Sequence, residues 1–267
     1  MLMSIFFIEL IGTGILVAFG LGVTSGVVLR GTRLTGNGWL VIALGWGLAY
    51  SLALLSVYPF GVAHLNPALT IGLASIGQVF WSDVFMYVSG QLIGGMCGAI
   101  VVYLQFLPHW RITADPQRKL NAFVTLPMVK NIPANLLTEV IGTFSFVFGI
   151  LVIWATVEAN EIKFLLIAFL VMGIALSFGS TASFALNPAR DLGPRIVHYL
   201  FPIPGKGSSQ WKYFWIPIVG PLLGGIFGAL FYQSFYLGAF SFSIWMMFIL
   251  LIGLVSWALY IEFRTGR

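Results

Sequence analysis

Charge is what this chain lacks. Asp, Glu, Lys and Arg make up only 8% of its 267 residues, hydrophobic residues make up 59%, and the mean hydropathy is +0.99. A soluble domain carries about 25% charged residues. So few charges cannot coat a water-facing surface, which excludes a soluble globular fold and leaves a membrane-embedded one. Cysteine is almost absent as well. Cys97 stands alone, which rules out an intrachain disulfide, and within its apolar stretch it reads as a small core residue. No His, Cys, Asp or Glu set has metal-ligand spacing, and His109 and His198 carry no readable signal. No nucleophile–base pair and no phosphate loop is present, so neither an enzyme nor a cofactor is expected. The net charge of +5 is scattered over the connections between apolar segments and forms no basic stripe, which argues against a nucleic-acid partner. The first ten residues, MLMSIFFIEL, have no positive n-region and hold Glu9 inside the apolar run. They read as the first membrane helix rather than a cleaved signal.

What is present is a series of long apolar runs. A spanning helix needs about 20 mostly apolar residues. Seven stretches qualify: 4–29, 38–59, 83–106, 135–157, 162–182, 213–235 and 242–261. Two shorter pieces, 67–77 and 188–200, each begin at an Asn-Pro and are too short to cross. Helix is the expected form throughout, since every backbone donor in lipid needs an internal partner. The one long connection, 107–134, is polar and proline-marked and separates two halves.

The halves match each other. IELIGTG at 8–14 corresponds to TEVIGTF at 138–144, and GQLIGGMCGA at 90–99 to GPLLGGIFGA at 220–229, both at an offset of 130. The repeats run over 4–106 and 135–236, and an extra apolar helix over 238–262 follows within the same single domain. Three spans per repeat force the two copies into opposite orientations. Inverted repeats with interrupted helices at matching places point to a transport site at the bilayer midplane. The stripes Gly90-Gly94-Gly98 and Gly220-Gly224-Gly228 predict close helix packing.

The tripeptide Asn-Pro-Ala occurs at 66–68 and again at 187–189. Asparagine caps helices well, and proline suits the first helical position. Asn66-Pro67-Ala68 and Asn187-Pro188-Ala189 therefore each begin a short helix. Inversion brings the two helix N-termini together, with positive dipole ends directed at mid-membrane. Each Asn amide oxygen caps its helix, leaving NH2 donors for whatever passes. The preceding segments, Gly61–Leu65 and Ser180–Leu186, are expected to run extended with free carbonyls, which is tolerated at this depth where backbone lines a wet cavity.

With both Asn-Pro-Ala boxes, the Glu-x-x-Gly-Thr starts at Glu9 and Glu139, and NPARDLGPR from Asn187, the chain resembles the aquaporin and glycerol-facilitator family of major intrinsic proteins over roughly residues 4–236. The resemblance implies an inverted repeat of six spanning helices and two half-helices, to which 242–261 adds a seventh span. It also implies an aromatic/arginine filter. Arg190 matches the family arginine, while Trp46 and Phe184 match the aromatic pair of glycerol facilitators. Ala175 falls where water-selective members carry histidine and glycerol channels glycine. Trp46 and Phe184 would pack on the carbons of a polyol, and Arg190 would donate to its hydroxyls.

By the same resemblance, Gly61, Val62, Ala63, His64, Thr181, Ala182, Ser183 and Ala185 line the pore with backbone, and Glu9 and Glu139 accept hydrogen bonds from those segments. Asp191 and Arg195, spaced i and i+4, form an ion pair that holds the second half-helix. The implied protein is a homotetramer in the cell membrane, passing glycerol, water and small neutral solutes passively. A water-selective channel and an ion-coupled transporter are the alternatives. Family topology puts the N-terminus inside. Eight basic residues then lie in outer loops (Arg30, Arg33, Arg111, Arg118, Lys119, Lys130, Lys206 and Lys212) against Lys163 alone in the inner ones. The positive-inside rule favours the reverse.

Overall fold

The computed structural model describes residues 4–181 and 184–265 and is helical throughout. The helices are α1 (Ile5–Val28), α2 (Trp39–Val57), the short α3 (Pro67–Ser75), α4 (Trp81–Gln105), α5 (Leu107–Ile112) and α6 (Pro116–Asn121). After these come α7 (Ile132–Thr156), α8 (Asn160–Ser177), the short α9 (Pro188–Leu200), α10 (Ile216–Phe231) and α11 (Phe242–Thr265). Seven of them are long and apolar enough to cross a membrane, and α3 and α9 are the two short pieces expected from the Asn-Pro pairs.

The departures from expectation have local causes. The connection 107–134 is not a plain loop. Pro108 and Pro116 each sit in the first turn of a six-residue helix, and Asp115 caps the second by accepting from the Gln117 N–H at 2.8 Å. Helix α7 starts at Ile132, three residues before the expected boundary, because Asn131 caps it through the Ala134 N–H at 3.3 Å. Helix α8 stops at Ser177 rather than 182, and residues 178–181 form a turn. Cys97 is exposed, not a core residue. It lies off the glycine face of α4, which is the face that packs.

That glycine face explains the tight pairing of α4 with α1 and of α10 with α7. A methyl on Gly90 would come within 2.5 Å of the Phe6 carbonyl, and one on Gly98 within 2.6 Å of the Gly14 carbonyl. The second repeat does the same: a methyl on Gly228 would meet the Phe144 carbonyl at 2.8 Å, and one on Gly224 the Thr143 Cβ at 2.9 Å. Close approach of this kind replaces the hydrophobic effect as the adhesive in lipid. The half-helices are packed the same way across the repeats. Gly72 of α3 abuts the Gly225 carbonyl of α10, and Gly95 of α4 abuts the Ala189 carbonyl of α9.

Helix α11 lies on the outside of this bundle. Ile244 is buried against Phe227 and Leu230 near the end of α10. Met247, Leu251 and Leu254 share an apolar cleft with Leu136 and Val140 of α7. At the far end the Asn131 amide donates to Glu262 at 3.2 Å, so the two ends of α11 touch opposite ends of the bundle. A methyl on Gly253 of α11 would meet nothing within 4 Å among the described residues. The contrast gives a direct test. Gly224→Ala should lower the thermal midpoint of the purified protein in detergent by several degrees, as overpacking costs about 1–3 kcal/mol. Gly253→Ala should leave it unchanged.

Candidate functional site: the meeting point of two half-helices

Helices α3 and α9 meet N-terminus to N-terminus, joined by their capping residues. Asn66 accepts the Ala68 N–H at 2.8 Å through Oδ1 and donates from Nδ2 to the Leu186 carbonyl at 2.9 Å. Asn187 mirrors it, accepting from Ala189 at 3.0 Å and Arg190 at 3.3 Å and donating to the Leu65 carbonyl at 2.7 Å. One amide hydrogen of each Asn is therefore spent on the opposite repeat, not held out for a solute. Leu65 and Leu186 present these carbonyls from left-handed backbone, at φ of 59° and 55°. That conformation is costly outside glycine and persists only where the surroundings over-determine it.

The surroundings that do so are two buried carboxylates. Glu9 accepts the His64 N–H at 2.6 Å and the Leu65 N–H at 2.7 Å, and Gln91 adds a third donor at 3.0 Å. Glu139 accepts the Ala185 N–H at 2.9 Å and the Leu186 N–H at 3.2 Å. Within the first irregular segment the His64 and Leu65 donors are taken by Glu9, and the Leu65 carbonyl by Asn187. Among the described residues, no donor reaches the carbonyls of Gly61, Val62 or Ala63. The His64 side chain does not enter this path. Its ring stacks on Tyr87 at 4.2 Å, and its Nδ1 lies 3.0 Å from the Thr70 hydroxyl.

Beyond Asn187 the path narrows. Trp46, Tyr50, Phe184, Asn187 and Arg190 line a cavity of about 20 Å³ together with Leu16 and Val171. The Arg190 guanidinium lies 4.3 Å from the Trp46 ring centre, a cation–π distance, and its Nη1 has no acceptor among the described residues. The Trp46 indole is itself committed, donating to Thr24 Oγ1 at 3.1 Å, while its ring lies flat on Gly20, where a methyl would come within 2.5 Å. Trp46 thus shows the pore only an apolar face. Phe184 stands at φ 44°, another strained position.

Comparisons with known proteins agree with this geometry. The family model described as Major intrinsic protein matches residues 2–232. The chain belongs to the major intrinsic protein family. It is 47% identical over 250 residues to the glycerol uptake facilitator protein of Bacillus subtilis, covering 94% of this chain and 91% of that one. It is 49% identical over 220 residues to a probable glycerol uptake facilitator protein of Thermotoga maritima, covering 82% and 94%. The X-ray structure of the aquaglyceroporin from Plasmodium falciparum superposes with a TM-score of 0.77 at 29% identity, covering 86% of this chain and 94% of that one. The protein is a multi-pass integral membrane protein with the aquaglyceroporin fold.

Within that fold, Trp46, Phe184 and Arg190 line one cavity. Ala175 is fully buried and does not line the cavity they form. Thr181 lies in the exposed turn after α8, and Ala182 and Ser183 fall outside the described residues. Several participants had no sequence signal. Tyr50, Leu16 and Val171 look like any apolar helix residue, and Thr24 like any small polar one. Gln91 did have a signal, as an amide inside an apolar span.

Asp191 and Arg195 do form the expected ion pair, Nη2 to Oδ1 at 2.7 Å, with both side chains buried. Arg195 Nε also donates to that oxygen at 2.8 Å. The pair reaches further than one helix. Asp191 accepts from the Thr125 N–H at 2.8 Å and hydroxyl at 2.6 Å, and Arg195 Nη1 donates to the Ser209 carbonyl at 2.8 Å. It ties α9 to the connections on both sides. Asp191→Ala would strand a buried guanidinium, a change that costs about 3–5 kcal/mol. A steep fall in folded yield and thermal midpoint is expected, with no such fall for exposed Lys212→Ala as the matched control.

Proposed function

We propose that this protein is a passive channel for glycerol and similar small uncharged solutes, with water as co-permeant, that excludes protons and ions. The observation that carries the reading is the constriction itself: one apolar corner of Trp46 and Phe184 facing one guanidinium whose Nη1 is unpaired. A polyol has a carbon edge for the corner and hydroxyls for the guanidinium. Arg190 and the two helix N-termini place positive charge along the path, which opposes cations and protons. The names of the Bacillus and Thermotoga relatives support glycerol as the solute. Glu9 already accepts three N–H donors from the protein, which speaks against a coupling-ion site there.

A second reading, a channel mainly for water, draws on the cavity size. About 20 Å³ of accessible space holds roughly one water. Stopped-flow light scattering on proteoliposomes decides between them. Glycerol entry several-fold above empty vesicles, indifferent to proton and sodium gradients, is expected. Fast water without glycerol would move the protein to the water-selective reading. Arg190→Val should admit larger solutes.

The assembly belongs to the same proposal: a homotetramer in the cell membrane with a pore in each subunit and the N-terminus inside. Helix α11 is the seventh span. Its 24 residues extend about 36 Å at 1.5 Å per residue, enough to cross the hydrocarbon core. A cysteine placed at Arg264, in a Cys97→Ser background, should react with an impermeant maleimide from the outside of intact cells. Labelling only after lysis, with a Ser4→Cys variant also labelled only after lysis, would put both termini on one side and overturn the seventh span.

A further inference from the structure

Trp39 opens α2 directly after its N-cap Gly38, and its indole reaches the neighbouring helix α8. Its Nε1 donates to the Ala175 carbonyl at 2.9 Å, a contact between residues 136 positions apart. Its ring meets Phe184 edge to face, with centroids 5.9 Å apart and planes at 83°. Its Cζ2 also fills the space beside Gly179, where a methyl would come within 2.9 Å. One side chain therefore braces the last turn of α8, the turn that follows it, and the strained phenylalanine of the constriction. It does this without lining the cavity.

Two physical needs meet at this position. The Ala175 carbonyl accepts the Gly179 N–H at 3.1 Å, and the Trp39 indole adds a second donor that ties the start of α2 to the end of α8. Phe184, at φ 44°, holds its ring toward Trp46 and Arg190 only if something behind it blocks retreat. The edge of Trp39 is that support.

We propose that Trp39 is a positioning residue that sets solute selectivity from behind the filter, fixing Phe184 by ring contact and the α8 end by its indole hydrogen bond. The inference rests on the reading of Phe184 as a filter residue. Without the support, Phe184 relaxes away from Arg190 and the constriction widens.

The test compares uptake of glycerol and of a five-carbon polyol, xylitol, by proteoliposomes carrying wild type, Trp39→Phe and Trp39→Ala. Trp39→Phe retains a ring against Phe184 but loses the donor. Trp39→Ala loses both. Trp39→Ala should raise the xylitol-to-glycerol ratio by about three-fold or more, roughly the scale of one lost net interaction, with Trp39→Phe between it and wild type. A ratio, unlike a flux, does not move when less protein folds. If Trp39→Ala fails to reconstitute, Trp39→Phe alone must shift the ratio for the proposal to stand. Phe184→Ala serves as the control for the filter reading. If Phe184→Ala shifts the ratio and neither Trp39 variant does, Trp39 is a packing residue only. If Phe184→Ala leaves the ratio unchanged, the filter reading fails and takes this inference with it.

Discussion

The structure depends on two side-chain amides that each serve both repeats. Asn66 caps its own helix and holds the backbone leading to the other; Asn187 does the same in reverse. Neither half can satisfy its irregular segment alone, because the Leu65 carbonyl needs Asn187 and the Leu186 carbonyl needs Asn66. This reciprocity fixes how far apart the half-helices sit. The glycine contacts of α3 with α10 and of α9 with α4 follow from it, since a hydrogen bond of 2.7–2.9 Å between the repeats leaves no room for side chains behind. The strained φ angles at Leu65 and Leu186 are held by the same bonds.

From that joint comes the polarity of the path. In lipid every backbone donor must find a partner within the protein. Glu9 takes the His64 and Leu65 donors and Glu139 the Ala185 and Leu186 donors, and among the described residues the carbonyls of Gly61, Val62 and Ala63 remain as acceptors. An uncharged hydroxyl compound suits such a path, because it can donate to the carbonyls and accept from Arg190. A cation would find the carbonyls but also the positive ends of two helices. The carboxylates stay behind the path, where they shape the backbone instead of attracting ions.

How much of this was legible in the sequence follows from whether a local rule was at stake. The half-helices were, because Asn-Pro is a local helix start whatever surrounds it. The repeat offset made Glu9 and Glu139 readable as a pair, and the i, i+4 spacing made Asp191 and Arg195 one. What escaped were interactions between segments with no shared pattern. Trp39 to Ala175 and Trp46 to Thr24 join helices through single indole donors, and a tryptophan near a helix end reads equally well as an interfacial anchor. The reach of Asp191 to Thr125 was hidden because that connection gave no signal of the short helices that fold it inward. The bond that one amide hydrogen of each Asn makes across the repeats escaped for the same reason. Capping is a local event and was foreseen, whereas donation across the repeats is not local.

The charges in the connections bear on orientation in a similar way. The positive-inside argument counts each Lys and Arg as free to choose a side. Lys119 is buried and donates to the carbonyls of Pro204 and Gly205, while Lys206 donates to those of His198, Tyr199 and Phe201 at the end of α9. Lys206 caps the carbonyls that collect at the end of α9, and Lys119 ties down the turn that follows, so both ammoniums are placed by the fold and not by a membrane potential. Removing them from the count shrinks the bias without reversing it. The bias does not bear on transport, because a passive pore has equal permeability in both directions. Orientation decides only which solution meets the aromatic constriction first.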